Sequence, residues 1–314
     1  MKTTSVSLRL RAVIAALTIT ILLFTLNLSS IAAQAKVPLR PDHAGSIKFK
    51  LLRDFLIVIP VSIDGHGPYN FIFDTATTMT TIDPALAREL NLKVSGSTTI
   101  ITASGTNEAS HAAVESISIG EKDVRLNSVV ISDLPELHTI DGTIRGILGA
   151  NVISSFNYLI DYEAKTLTIE KWDEVGAQLG GLILAFSVDS RRMVIPVADV
   201  RSKQVSIFVL DSAIPNLVLF KREAHTKKVS FAYQESAARL ATNANISVAQ
   251  LITVEHINIG RESFERASAV LVEDFQGSVN GRIEDGLLPT RLFKSLYINN
   301  REGIVMLNPR YNRK

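Results

Sequence analysis

Phe71-Ile-Phe-Asp74-Thr-Ala-Thr77 returns, altered but in the same order, as Phe208-Val-Leu-Asp211-Ser-Ala-Ile214. In each copy an apolar triplet runs into an aspartate, and a hydroxyl residue and an alanine follow. The copies sit inside longer matches. Val58-Ile-Pro-Val61 starts 16 residues before the first aspartate, and Val194-Ile-Pro-Val197 starts 17 before the second. Ser116-Ile-Ser-Ile-Gly120 and His256-Ile-Asn-Ile-Gly260 end 46 and 49 residues after the aspartates. Gly146-Ile-Leu148 and Gly286-Leu-Leu288 begin 72 and 75 residues after them. Each half closes on a hairpin-like stretch, Ile160–Ile169 and Ile298–Leu307. Landmarks that keep one order while their offsets drift by three residues describe a duplicated unit of about 130 residues.

Around these landmarks the period is two. Phe55–Val61, Asn70–Phe73, Val114–Ile119 and Leu159–Ile169 read as strands, punctuated by turn signals at Asp64-Gly-His-Gly-Pro68 and Ser104-Gly105. Helices are few. The clearest runs from Asp83, an N-cap followed by proline, to Leu90. The expectation is an all-β fold of two tandem lobes, residues 48–178 and 182–310, meeting near Gly180-Gly181. The chain has 314 residues, 46% hydrophobic and 20% charged, which suits a globular protein of two domains. It has no cysteine, so disulfides, thiolate metal sites, cysteine nucleophiles and lipid attachment through cysteine are excluded. A net charge of +2 does not suggest a nucleic-acid binder, which would need a concentrated basic surface, and no nucleic-acid partner is expected.

The first 35 residues differ from the rest. Lys2, Arg9 and Arg11 open a segment without acids, Ala12–Leu28 is mostly apolar, and Ala33-Gln-Ala35 offers a small-x-small cleavage pattern. Residues 1–35 read as a signal peptide and 36–47 as an N-terminal extension. The mature chain would carry 30 basic and 31 acidic side chains. It would be exported, periplasmic or secreted, with no stable membrane span after cleavage.

The two aspartates carry the chemistry. A carboxylate at the end of an apolar strand costs free energy unless something satisfies it. A duplicated fold related by a pseudo-twofold axis brings Asp74 and Asp211 together at that axis. Two carboxylates sharing one site cannot both ionise cheaply, so one keeps a proton. An acid and a base around one water suffice for amide hydrolysis without metal, cofactor or covalent nucleophile.

Phe73-Asp-Thr-Ala-Thr77, Gly146-Ile-Leu-Gly149 and Phe156-Asn-Tyr-Leu-Ile-Asp161 resemble a retropepsin-type aspartic protease domain, and the chain is similar to exported bacterial aspartyl proteases, often two-lobed. The resemblance is strong over residues 48–172 and weaker over 182–309. It implies that Asp74 and Asp211 are the catalytic pair, that Thr75 and Ser212 interlock their loops, and that Ile147, Leu148 and Gly149 pack behind them. It also implies a β-hairpin flap, here Thr98–Ala112 turning at Ser104, Gly105 and Thr106, over a peptide or protein substrate. The family pattern has glycine where this chain has Ala76 and Ala213, and Pro289 stands where the first half has Gly149.

Two function classes follow. One is an exported aspartic endopeptidase, working through Asp74 and Asp211 or as a homodimer of first lobes using two copies of Asp74. The other is a non-catalytic peptide- or envelope-binding protein on a decayed protease scaffold. The remaining candidates read as structural. Asp161 and Tyr162 belong to a hairpin turn, Trp172 to lobe packing, and the lysines around Lys221 and Lys227 to a solvated face. The six histidines lack metal-ligand spacing, though His111 falls on the flap segment.

Overall fold

A computed structural model describes residues 45–102, 105–170, 179–189, 192–198, 205–220, 231–242, 245–260, 262–272 and 284–311. The signal peptide, most of the N-terminal extension, Ser104, Trp172, His43, His225 and the lysines of 221–228 lie outside the described residues.

The protein is all-β. The first half opens with β1 (Ser46–Lys48), β2 (Lys50–Leu52), β3 (Leu56–Ile63) and β4 (His66–Phe73). β3 and β4 are joined by Asp64-Gly65, both at positive φ (48° and 78°), as a tight two-residue hairpin requires. The strand resumes at His66, so the turn is shorter than the glycine-rich stretch suggests. β5 (Thr81–Ile82) leads to α1 (Pro84–Glu89), where the Asp83 carboxylate accepts the Leu86 N–H as N-cap. Then come β6 (Val94–Thr102) and β7 (Gly105–Ala112), a hairpin in register from Thr102 opposite Gly105. β8 (Ser116–Ile119), β9 (Lys122–Arg125) and β10 (Val129–Ile131) follow, with α2 (Pro135–Ile140), β11 (Ile144–Leu148), α3 (Ala150–Ile153), β12 (Asn157–Asp161) and β13 (Thr166–Glu170).

The second half supplies β14 (Leu179–Ala185), β15 (Ser187–Asp189), β16 (Arg192–Ala198), β17 (Val205–Asp211), β18 (Leu217–Phe220), β19 (Phe231–Thr242), β20 (Asn245–Ile259), β21 (Glu262–Val272), β22 (Gly286–Pro289), β23 (Ser295–Asn299) and β24 (Ile304–Tyr311). Its sheet runs β15-β16-β17-β22-β18-β21-β20-β19. In the first half β2-β3-β4-β11-β5-β10-β7-β6 runs in the same order. The parallel pairs correspond as well. Phe73 lies opposite Leu148 and Leu210 opposite Leu288, each fixing the strand that ends at an aspartate.

Strand faces explain the apolar runs. Ile57, Ile59, Val61 and Ile63 of β3 point into the large core with Phe71 and Phe73, whereas Leu56, Val58 and Ile72 point into a second cluster with Leu134, Leu137, Ile144 and Ile147. A sheet covered on both faces loses polar alternation. Gly180 and Gly181 lie inside β14, which pairs with β24. The six-stranded sheet β1-β13-β12-β23-β24-β14 takes strands from both halves, and one core cluster holds residues of both. The halves are thus stitched along β12 and β23, Leu159 opposite Tyr297.

Candidate active site

Asp74 follows β4 directly and Asp211 ends β17; both are buried, at 8% and 5% exposure. Each is delivered by a strand held in parallel register against a Gly-apolar-Leu strand. Gly146 and Gly286 allow that approach. A Cβ at Gly146 would lie 2.3 Å from the Phe71 ring and 2.5 Å from the Thr81 carbonyl, and one at Gly286 2.0 Å from the Val218 carbonyl. Real Cβ atoms do not come so close, so glycine is needed twice, at matched positions.

The two aspartate loops are clamped to each other. The Thr75 hydroxyl donates to the Leu210 carbonyl at 2.8 Å and accepts the Ser212 N–H at 3.2 Å. The Ser212 hydroxyl donates to the Phe73 carbonyl at 2.7 Å and accepts the Thr75 N–H at 3.1 Å. Asp74 and Asp211, the residues between, are brought within electrostatic reach of each other. Thr75 and Ser212 are the residues to which the resemblance assigns the interlocking of the loops.

The aspartates are not equivalent. The Asp74 carboxylate accepts the Ala76 and Thr77 N–H groups at 2.8 and 3.1 Å and the Thr77 hydroxyl at 2.6 Å. Asp211 accepts the Ala213 N–H at 2.8 Å, and Ile214 stands where Thr77 stands in the first half. Burial raises the pKa of both. For Asp74 the hydrogen bonds from Thr77 and Ala76 oppose the rise. For Asp211 the Asp74 charge adds to burial, and only the Ala213 N–H opposes, so its carboxyl is held well above the usual carboxylate range. The three hydrogen bonds to Asp74 favour its charged form more than the Ala213 N–H favours that of Asp211.

Behind Asp74, the Asp74 N–H donates to the Leu148 carbonyl at 3.1 Å. The Gly149 N–H donates to the Thr80 hydroxyl at 3.1 Å, and that hydroxyl donates to the Asn151 amide oxygen at 2.8 Å. The Ala150 and Asn151 N–H groups reach the Thr77 and Thr78 carbonyls at 2.7 and 3.1 Å. A Cβ on Gly149 would lie 2.7 Å from the Met79 carbonyl carbon. Ile147 and Leu148 are buried on opposite faces, in the smaller and larger clusters. Ala76 and Ala213 do not take positive φ, so alanine costs no backbone strain where the family pattern has glycine.

The flap segment is the β6–β7 hairpin; Gly105 and Thr106 begin its returning strand. His111 lies at its base opposite Val130, with Nδ1 buried and unpartnered. Asp161 accepts the Ala164 N–H at 2.7 Å, a turn role as its position suggests. Sequence reasoning missed Thr80 and Asn151, which carry no pattern, and Tyr162, whose hydroxyl reaches Thr290 of the other half. Thr77 was legible as part of the motif, but its bond to Asp74 was not. Among the described residues no group of three or more His, Cys, Asp or Glu side chains is placed to hold a metal ion, and no helix is long and apolar enough to cross a membrane.

Two buried carboxylates are thus clamped at the meeting of two similarly ordered β-sheets. Residues 59–152, under a third of the chain, match the model of the aspartyl protease family. The match includes Asp74 and Gly149 and ends before Asp211. No curated protein sequence matches the chain.

Proposed function

We propose that the protein is an exported aspartic endopeptidase that uses Asp74 and Asp211 of one chain as its catalytic pair. The observation that carries the reading is the unequal hydrogen bonding of two clamped, buried carboxylates, which favours ionisation of Asp74 over that of Asp211. Asp74 accepts a proton from the water between them as the water oxygen attacks the scissile carbonyl carbon. Asp211 gives its proton to the carbonyl oxygen, forming a gem-diol. Asp74 then passes its proton to the amide nitrogen, Asp211 takes one back from a diol hydroxyl, and the C–N bond breaks. Both carboxyls return to their starting states. The substrate is an extended peptide under the β6–β7 hairpin; β19–β20 is the corresponding hairpin of the second half. Residues 1–35 support export to the periplasm or outside the cell.

Cleavage of a mixed peptide library at pH 3–7, read by mass spectrometry, tests this. Asp74→Asn and Asp211→Asn should each abolish cleavage, by about 10²–10⁴-fold. Full activity in Asp211→Asn would instead favour a homodimer of first lobes. Pro289, which lacks an N–H, and the single backbone donor to Asp211 among the described residues favour a second reading, a peptide- or envelope-binding scaffold without catalysis. A folded protein that binds but never cleaves peptides, even with glycine restored at Ala76 and Ala213, would establish it.

A further inference from the structure

The two aspartate loops are buttressed by different means. Behind Asp74 the support is local: Thr80, Asn151 and backbone N–H groups of residues 149–151. Behind Asp211 the matching strand ends in Pro289, in register with Asp211 itself, and proline has no N–H to donate. The next residue, Thr290, is fully buried, and its hydroxyl bonds the Tyr162 phenol at 2.5 Å.

Tyr162 belongs to the other half. It follows β12, and its N–H donates to the Lys294 carbonyl at 2.9 Å, so both its backbone and its side chain are tied to the second half. The Phe49 ring packs edge-on against it, centroids 6.2 Å apart. The ionisable groups around the phenol are Asp211, Arg291 and the buried Tyr158. Burial first, and then the Asp211 charge, raise the phenol pKa; the Thr290 bond and Arg291 oppose.

We infer that Tyr162 is a positioning residue for Asp211: a first-half phenol that latches Thr290 and so holds the Pro289–Thr290 segment against which the second-half aspartate is aligned. It replaces, across the interface, the buttress that Asn151 and Thr80 give Asp74. Tyr162 touches no reacting atom. The inference rests on the endopeptidase reading above.

Tyr162→Phe in the full chain keeps the ring and removes the latch. Water admitted behind Asp211 favours its charged form, so the basic limb of the kcat pH profile should move to lower pH. The expected kcat falls about tenfold or more while KM changes less than about twofold, because a misaligned acid weakens the chemical step rather than peptide binding. Thr290→Val should reproduce both effects, and the double variant should be no worse than either single one. Wild-type kcat and an unmoved limb in Tyr162→Phe would overturn the inference, as would a loss of kcat with no movement of the limb. If the wild-type protein cleaves nothing, the endopeptidase reading fails instead. The latch is then read from the Asp211 carboxyl titration by carbon NMR, which Tyr162→Phe must lower for the latch to stand.

Discussion

Thr75 and Ser212 exchange roles across the interface: each hydroxyl donates to the carbonyl just before the other's aspartate and accepts the other's N–H. The four bonds are disjoint, two per hydroxyl, yet all run between the same two backbone segments. Thr75→Val or Ser212→Ala leaves a buried carbonyl and a buried N–H unpaired and should cost about 3 kcal/mol in denaturant unfolding. Because the remaining pair of bonds weakens once either loop drifts, the double variant should cost less than the sum by about 1 kcal/mol. Strict additivity would mean that the loops are held independently.

The inequality of the aspartates predicts a pH profile. Activity requires Asp74 ionised and Asp211 protonated. It rises as pH climbs through the Asp74 pKa and is lost as pH climbs through that of Asp211, which burial and the Asp74 charge hold well above the ordinary carboxylate range. Thr77→Ala removes the largest of the hydrogen bonds that lower the Asp74 pKa, so the acid limb should move to higher pH. Ile214→Thr offers Asp211 the hydroxyl that Asp74 already has, so the basic limb should move to lower pH. Steady-state kcat between pH 3 and 8 checks both; a basic limb that rises in Thr77→Ala, with an acid limb that falls in Ile214→Thr, would put the shared proton on Asp74 instead.

The same shift has a consequence for stability. A carboxyl whose folded pKa is raised binds its proton more tightly in the native state, so its contribution is most favourable below the unfolded pKa and is lost as pH rises through the folded one. Asp211→Asn should therefore raise the unfolding temperature at neutral pH, with the advantage disappearing at a pH below the usual carboxylate range. A variant less stable than wild type at neutral pH would show that the Asp211 charge is compensated by contacts other than the Ala213 N–H.

The glycines carried more information than their strand pattern announced. Gly146 and Gly286 stood out as repeat landmarks, and the structure gives the reason: each lets a strand pass over an aromatic ring and a carbonyl on its way to the aspartate. A hydroxyl follows each aspartate in the sequence, and it was the resemblance to retropepsin-type proteases that gave those hydroxyls an interlocking role. The short helices α2 and α3 were not, since Pro135–Ile140 and Ala150–Ile153 are too brief for periodicity to register. Tyr162 was read as part of a turn because its partner, Thr290, lies 128 residues away and no local pattern marks such a contact. Replacing either landmark glycine tests the steric account: Gly146→Ala and Gly286→Ala should each cost about 3 kcal/mol or more, since the nearest obstacles include backbone carbonyls that cannot rotate aside.

A buried ion pair lies away from the aspartates in the second half. The Arg192 guanidinium and the Glu284 carboxylate, 3% and 0% exposed, bond through both nitrogen–oxygen pairs. Glu284 is followed by Asp285, whose carboxylate accepts the Ile207 N–H at 2.8 Å and whose own N–H donates to the Ile207 carbonyl. The pair thus sits at the entry to β22, the strand that aligns Asp211. Glu284→Gln removes one charge of this buried pair and should destabilise the fold by about 3–5 kcal/mol. Arg192→Met with Glu284→Leu removes both charges while retaining volume, and should fall within about 2 kcal/mol of wild type in either direction. If the double variant is as unstable as the single one, the pair holds the β22 entry by its hydrogen-bond geometry rather than by neutralising charge. Cleavage should then fall with stability, because β22 carries the register that Asp211 needs.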